Sequence, residues 1–140
     1  MDLKIAWWNC RISAPSTQAK PHELTAGFLS VIFSMLDSGV DLLCLCEVNE
    51  DNISDLQRVI LAAGQLEDRY ATFQVLSLYS KSGNKIDDYA IVFRSGKLQP
   101  ATDVVDLNAK ADVTDKYLKV GRKLGFRLDG VMDMWVILCH

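Results

Sequence analysis

The 140-residue sequence contains no run of about eighteen consecutive apolar residues, which excludes a membrane-spanning helix of ordinary length. It opens on Met1-Asp2-Leu3-Lys4-Ile5, without a basic stretch leading into a long apolar one. A secretory signal is therefore not expected, and the reading is a cytoplasmic protein. Only three prolines (Pro15, Pro21 and Pro100) interrupt the chain, and neither an internal repeat nor a linker is visible. Histidine is scarce, with His22 and His140 the two examples. The four cysteines (Cys10, Cys44, Cys46 and Cys139) lie in apolar strand-like segments, and Cys44-x-Cys46 lacks the second pair that a zinc site would need. Reduced, buried thiols are expected rather than disulfides or structural zinc.

What is present is ordinary for a globular domain: 49% hydrophobic residues, 24% charged residues and a net charge of −3. The charge is unevenly placed. From Asp37 to Gln57 there are six acids (Asp37, Asp41, Glu47, Glu50, Asp51 and Asp55) and no base. From Lys116 to Arg127 there are five bases (Lys116, Lys119, Arg122, Lys123 and Arg127) and no acid. Two solvated faces are the plain reading. The sharper one is a cation site near the first segment and a phosphate-attracting strand pair in the second.

Leu3 to Asn9 reads as a strand in which Leu3, Ile5 and Trp7 alternate with Lys4, Ala6 and Trp8. A loop over 11–20 leads to Pro21, suited to the first turn of a helix that also takes in His22. The apolar stripe of that helix is Leu24, Phe28, Val31, Ile32, Met35 and Leu36, with Gly39 as its C-terminal cap. The almost unbroken apolar run Asp41–Cys46 predicts a strand buried on both faces. Ile53, Leu56, Ile60 and Ala63 make a second helical stripe, capped by Asn49 or Asn52 and stopped at Gly64. From Tyr70 the period becomes that of strands. Tyr70–Tyr79 and Tyr89–Arg94 suggest a long-looped hairpin, followed by strands at Val104–Leu107, Tyr117–Val120, Arg122–Leu128 and Met134–His140. The order β-α-β-α followed by strands predicts an α/β (α+β) fold, with a mixed β-sheet and two helices on one face.

A right-handed parallel crossover places the C-terminal ends of the first two strands on the same sheet edge, where ligands collect in open α/β sheets. The residues expected there are Asn9, continuing the face of Leu3, Ile5 and Trp7, and Glu47, continuing that of Leu43 and Leu45. A carboxylate just past a fully buried strand is costly to desolvate unless it is paired or holds a metal. Glu47 is thus a candidate ligand for a hard cation such as Mg²⁺, which takes only one or two protein carboxylates. His140 ends the run of Met134, Val136 and Leu138 in the same manner, although a lone strand-end histidine is commonly structural. The cysteines next to these positions (Cys10, Cys46 and Cys139) should point to the opposite sheet face as packing groups.

These residues carry a family resemblance. Leu3-Lys4-Ile5-Ala6-Trp7-Trp8-Asn9 resembles the first motif of the endonuclease/exonuclease/phosphatase superfamily, the DNase-I-like fold, in which a strand ends in an Asn at the metal site. Asp41-Leu42-Leu43-Cys44-Leu45-Cys46-Glu47-Val48 resembles its second motif, which ends in the Mg²⁺-binding Glu. Tyr89–Arg94 is similar to a later strand of that family, and Trp135–His140 to the strand ending in a phosphate-contacting His. Cys46 stands where the family commonly has Gln, which alters the surroundings of the metal ligand but not the ligand itself. The family's Gly-Asp-x-Asn stretch and terminal Asp-His pair have no counterpart in these 140 residues.

The resemblance therefore implies that residues 1–140 are the N-terminal half of such a domain, apparently truncated: half of a four-layer αββα sandwich. It implies a Mg²⁺-dependent phosphodiesterase (nuclease or phosphatase, with Mn²⁺ as a substitute) acting by in-line attack of water. Glu47 and Asn9 would serve the metal, and His140 and Asn9 the reaction. The substrate would be a phosphodiester or phosphomonoester, nucleic acid included, and the isolated chain would be nearly inactive. The alternative is a non-catalytic phosphate-binding or assembly module. With one sheet exposed, the chain is expected to self-associate or to pair with a complementary C-terminal half.

Overall fold

The computed structural model describes residues 2–10, 25–78, 88–107 and 121–138. The fold is mixed α+β, as its sequence predicts, with the elements β1 (Ile5–Asn9), α1 (Ala26–Asp37), β2 (Leu42–Val48), α2 (Glu50–Leu66), β3 (Phe73–Ser77), β4 (Asp88–Arg94), β5 (Leu98–Pro100), β6 (Val105–Asp106), β7 (Arg122–Leu128) and β8 (Met132–Leu138). The strands do not form the single sheet expected. They divide into two, ordered β1-β2-β4-β3 and β5-β7-β6 with β8 added on β7. β4 lies between β2 and β3, so both of its edges are occupied, and the strands after Arg94 pair among themselves. Two compact units result, residues 1–95 and 96–140.

In the first unit β1 runs parallel to β2, and β4 runs antiparallel to both β2 and β3. Both helices cover one face. Phe28, Ile32 and Leu36 of α1 recur every four residues and pack with Ile53, Leu56 and Ile60 of α2 against Leu43, Leu45, Ala90 and Val92. Trp8 extends this core to β1 by stacking on Phe28, with ring centroids 4.8 Å apart. On the other face Leu42, Cys44, Cys46, Tyr89, Ile91 and Phe93 are also buried, so β2 is enclosed on both sides, as its apolar run predicts.

The helix ends follow their caps. Thr25 Oγ1 accepts from Phe28 N at 3.1 Å to start α1, later than expected; Pro21, His22 and Leu24 lie outside the described residues. Gly39, at φ 88°, ends α1: its N–H reaches Leu36 O while Val40 N–H reaches Met35 O, the paired bonds of a Schellman cap. Val31, assigned to the buried stripe, is 40% exposed. For α2 the cap is Asn49, whose side chain accepts from Asn52 N at 2.9 Å. Gly64 does not stop that helix, which continues to Leu66. Its missing side chain admits the backbone of Tyr70–Ala71, and a Cβ there would lie 3.0 Å from Ala71 Cα.

The start of β2 is clamped by Asp41. Its carboxylate accepts from Lys4 N at 3.1 Å and from Arg94 Nε at 3.2 Å, while Arg94 N–H donates to the Asp41 carbonyl. Three strands are tied at one end of the sheet by this single, almost fully buried acid. The Arg94 guanidinium also covers the Phe73 ring, 4.4 Å from its centroid.

In the second unit β7 is central. β5 and β6 pair with opposite ends of β7, and β8 follows it through a turn at Asp129-Gly130. Leu124, Phe126 and Leu128 of β7 are buried, while Arg127 faces water and pairs with Asp133 at 2.9 Å. β5 was not expected, and the expected strand at Tyr117–Val120 lies outside the described residues. Among the described residues no helix is long and apolar enough to cross a membrane.

Removing Arg94 leaves the Asp41 carboxylate buried without its counter-ion. Arg94→Ala is expected to lower the unfolding free energy by about 2–4 kcal/mol in urea titrations, well beyond the effect of truncating an exposed pair such as Arg127–Asp133.

Candidate metal site at the edge of the first sheet

Parallel pairing of β1 with β2 brings their C-terminal ends to one edge. Asn9 and Glu47 meet there: Asn9 Nδ2 donates to Glu47 Oε1 at 2.9 Å, and both residues are half-buried. Two of the three residues singled out in the sequence are thus in contact. The third, His140, lies outside the described residues, as does Cys139.

Regular alternation would not produce this contact. Asn9 is in register with Cys46, so these two share the face opposite the helices. A straight β2 would carry Glu47 on to the helix side with Leu43 and Leu45, as the sequence reading expects. Instead β2 is bulged between Cys46 and Val48, facing the single step from Tyr89 to Asp88, and Glu47 adopts a left-handed backbone with φ 53°. The extra residue returns Val48, 2% exposed, to the helix-side core and releases Glu47 to the face of Asn9.

Magnitudes explain why the bulge wins. A left-handed non-glycine residue costs about 1–2 kcal/mol. The straight alternative would push an unpaired carboxylate among Leu43, Leu45, Ala90 and Val92, at a cost of several kcal/mol. It would also withdraw Val48 from the helix-side cluster it shares with Leu43, Leu45 and Ile53. Strain of this kind persists where its surroundings over-determine it. Here Cys10 N–H holds Cys46 O at 3.0 Å on one side of Glu47, and the Asn49 cap opens α2 on the other.

The same bulge corrects the placement of one cysteine. Cys10 packs in the helix-side core as expected, but Cys46 lies on the face of Asn9. Burial, with a smaller contribution from nearby Cys46, pushes the thiols of both Cys10 and Cys44 up to about 12.

The six acids of the first charged segment do not converge. Asp37 accepts from Tyr70 Oη at 2.8 Å and pairs with Arg69, Asp41 pairs with Arg94, and Asp55 pairs with Arg58. Glu50 and Asp51 occupy the first turn of α2, where the helix dipole favours acids. No group of three or more His, Cys, Asp or Glu converges among the described residues. In the basic segment Arg122 is buried, Lys123 Nζ lies 3.9 Å from the Trp135 ring centroid, and Arg127 pairs with Asp133. These three bases are engaged within the fold, and Lys116 and Lys119 lie outside the described residues.

Val48 was given no role in the sequence, whereas Asn49 was one of the two expected caps of α2 and is the one that forms. The signal was there: Leu43, Leu45 and Val48 can share a face only if one residue is added between them.

The thiols yield a pH prediction. As pH rises past about 9 the unfolded chain loses thiol protons that the folded chain keeps to about 12. The contribution of these two thiols to stability is then complete below pH 9 and is lost steadily above it. Urea midpoints between pH 7 and 11 should show that decline, and Cys10→Ala with Cys44→Ala should make it shallower, leaving the part due to Tyr70, whose ionisation burial and the hydrogen bond to Asp37 also push up.

No protein-family model matches the chain, and no curated protein matches its sequence.

Proposed function

We propose that the chain carries part of a Mg²⁺-dependent phosphoesterase site of the endonuclease/exonuclease/phosphatase type that its motifs resemble. The observation supporting this reading is the Asn9–Glu47 hydrogen bond, which sits at the C-terminal edge of a parallel strand pair and is presented by a left-handed bulge. Mg²⁺ typically asks a protein for one or two carboxylates and completes its shell with water and phosphate oxygens. Glu47 supplies one such carboxylate, and Asn9 fixes its orientation, so this small donor set fits a hard cation. Mn²⁺ would serve as a substitute.

In this reading Glu47 holds the cation through its carboxylate, and Asn9 keeps that carboxylate in one position. A bound Mg²⁺ supplies Lewis-acid polarisation of a phosphate oxygen. His140 donates a hydrogen bond to a non-bridging oxygen of a phosphodiester or phosphomonoester as negative charge grows there. Nucleophile activation would belong to the Asp and Asn of the Gly-Asp-x-Asn motif, and the Asp-His pair would also serve the phosphate; these 140 residues contain neither motif. Without a general base the rate falls by about 10²–10⁴-fold, so the chain alone binds metal but turns over little.

A second reading, an assembly module that needs a complementary half or a second copy, draws on β1. Among the described residues β1 pairs only with β2, and it exposes Ile5 and Trp7, each at 56%. An open apolar edge strand invites another strand.

Calorimetric titration with Mn²⁺ separates these readings. Binding is expected in the wild type, lost in Glu47→Ala and weakened about 10–100-fold in Asn9→Ala. Equal binding by Glu47→Ala would contradict the metal site. With bis(p-nitrophenyl) phosphate and Mg²⁺, turnover near the buffer rate is expected. Robust turnover abolished by Glu47→Ala would instead show a complete catalyst.

A further inference from the structure

The bulge in β2 raises a question of cause: which residue turns Glu47 toward Asn9? Cys46 is fixed before it, in register with Tyr89 and accepting from Cys10 N–H at 3.0 Å. Val48 is fixed after it, 2% exposed in the cluster with Leu43, Leu45, Ile53 and Val92. Cys46 and Val48 face opposite sides of the sheet although they are two positions apart, and two positions of regular strand always return to the same side. The mismatch is absorbed entirely at residue 47, whose φ is 53°. Beyond it, the Asn49 cap and the buried Ile53 and Leu56 of α2 keep the chain from relaxing.

We propose that Val48 is the positioning residue of the Asn9–Glu47 pair: seated in the helix-side core, it forces Glu47 into the left-handed region and so delivers the carboxylate to Asn9. This rests on the reading of that pair as the functional site, but it concerns a residue that contacts neither metal nor substrate. The apolar side chain acts as a peg, and the acid beside it is the group aimed. An important corollary is that the identity of residue 48 controls the geometry of residue 47 without any polar contact between them.

Two comparisons test this. Glu47→Gly and Glu47→Ala both remove the carboxylate and differ only in backbone preference. In a left-handed position the Gly variant should melt about 2–5 °C above the Ala variant. A higher melting temperature for the Ala variant, the order expected of an ordinary strand, would overturn the proposal. The second comparison follows the Asn9 side-chain amide signal in chains labelled with ¹⁵N-asparagine. Val48→Ala should move that signal toward its position in Glu47→Ala, and Val48→Ile should restore the wild-type position. If Val48→Ala lowers stability but leaves the Asn9 signal where it is in the wild type, Val48 is packing alone and the proposal fails. Should Val48→Ala not fold, the Gly–Ala order decides. Adding Mn²⁺ to the wild-type sample tests the underlying reading separately: an unmoved, unbroadened Asn9 signal would remove the metal site while leaving the positioning of Glu47 to be judged by the two comparisons.

Discussion

β2 is buried on both faces, and where it leaves the sheet the chain places a carboxylate that one amide holds at 2.9 Å. That pairing is the constraint on which the edge of the first sheet depends. A charged group at the end of an enclosed strand must be solvated, paired or given a cation. Straight continuation would give Glu47 none of these. The chain accepts a left-handed residue instead, keeps Val48 in the core, and brings Glu47 to Asn9. The strain is local and small, and the geometry it secures is specific.

The opposite end of the same strands is organised by a different acid. Asp41 joins β1, β2 and β4 through Lys4 and Arg94 and is itself buried. The two acids of one apolar strand thus have separate duties. Asp41 is neutralised inside the fold and holds the strands in register, while Glu47 is re-aimed at the edge where the parallel pair ends. Fixing the register at one end makes the bulge at the other consequential, because neither neighbouring strand can slip to relieve it.

Much of the first unit was legible in the sequence for a physical reason: its elements are signalled by local periodicity. The stripe Ile53–Leu56–Ile60, the Gly39 cap and the apolar run of β2 each require only near neighbours to interpret. Gly64 misled because a glycine near a helix end reads as a stop, whereas here it admits the Tyr70–Ala71 backbone. β5 was missed because three residues ending in Pro100 carry too little alternation, and the Asp129-Gly130 turn that joins β7 to β8 was passed over. The division into two sheets depends on β4 lying between β2 and β3, a long-range pairing that no local pattern reports. At the site Asn9 and Glu47 were visible as polar ends of apolar strands. Their contact was not, since simple alternation assigns them to opposite faces.

The central claim is that this pair receives a divalent cation. The most direct measurement is anomalous scattering from a crystal of the chain soaked in Mn²⁺. The account predicts a peak within coordinating distance of the Glu47 carboxylate, with Asn9 still bonded to it. A peak elsewhere with none at Glu47, or a Glu47 side chain turned into the helix-side core, would contradict it.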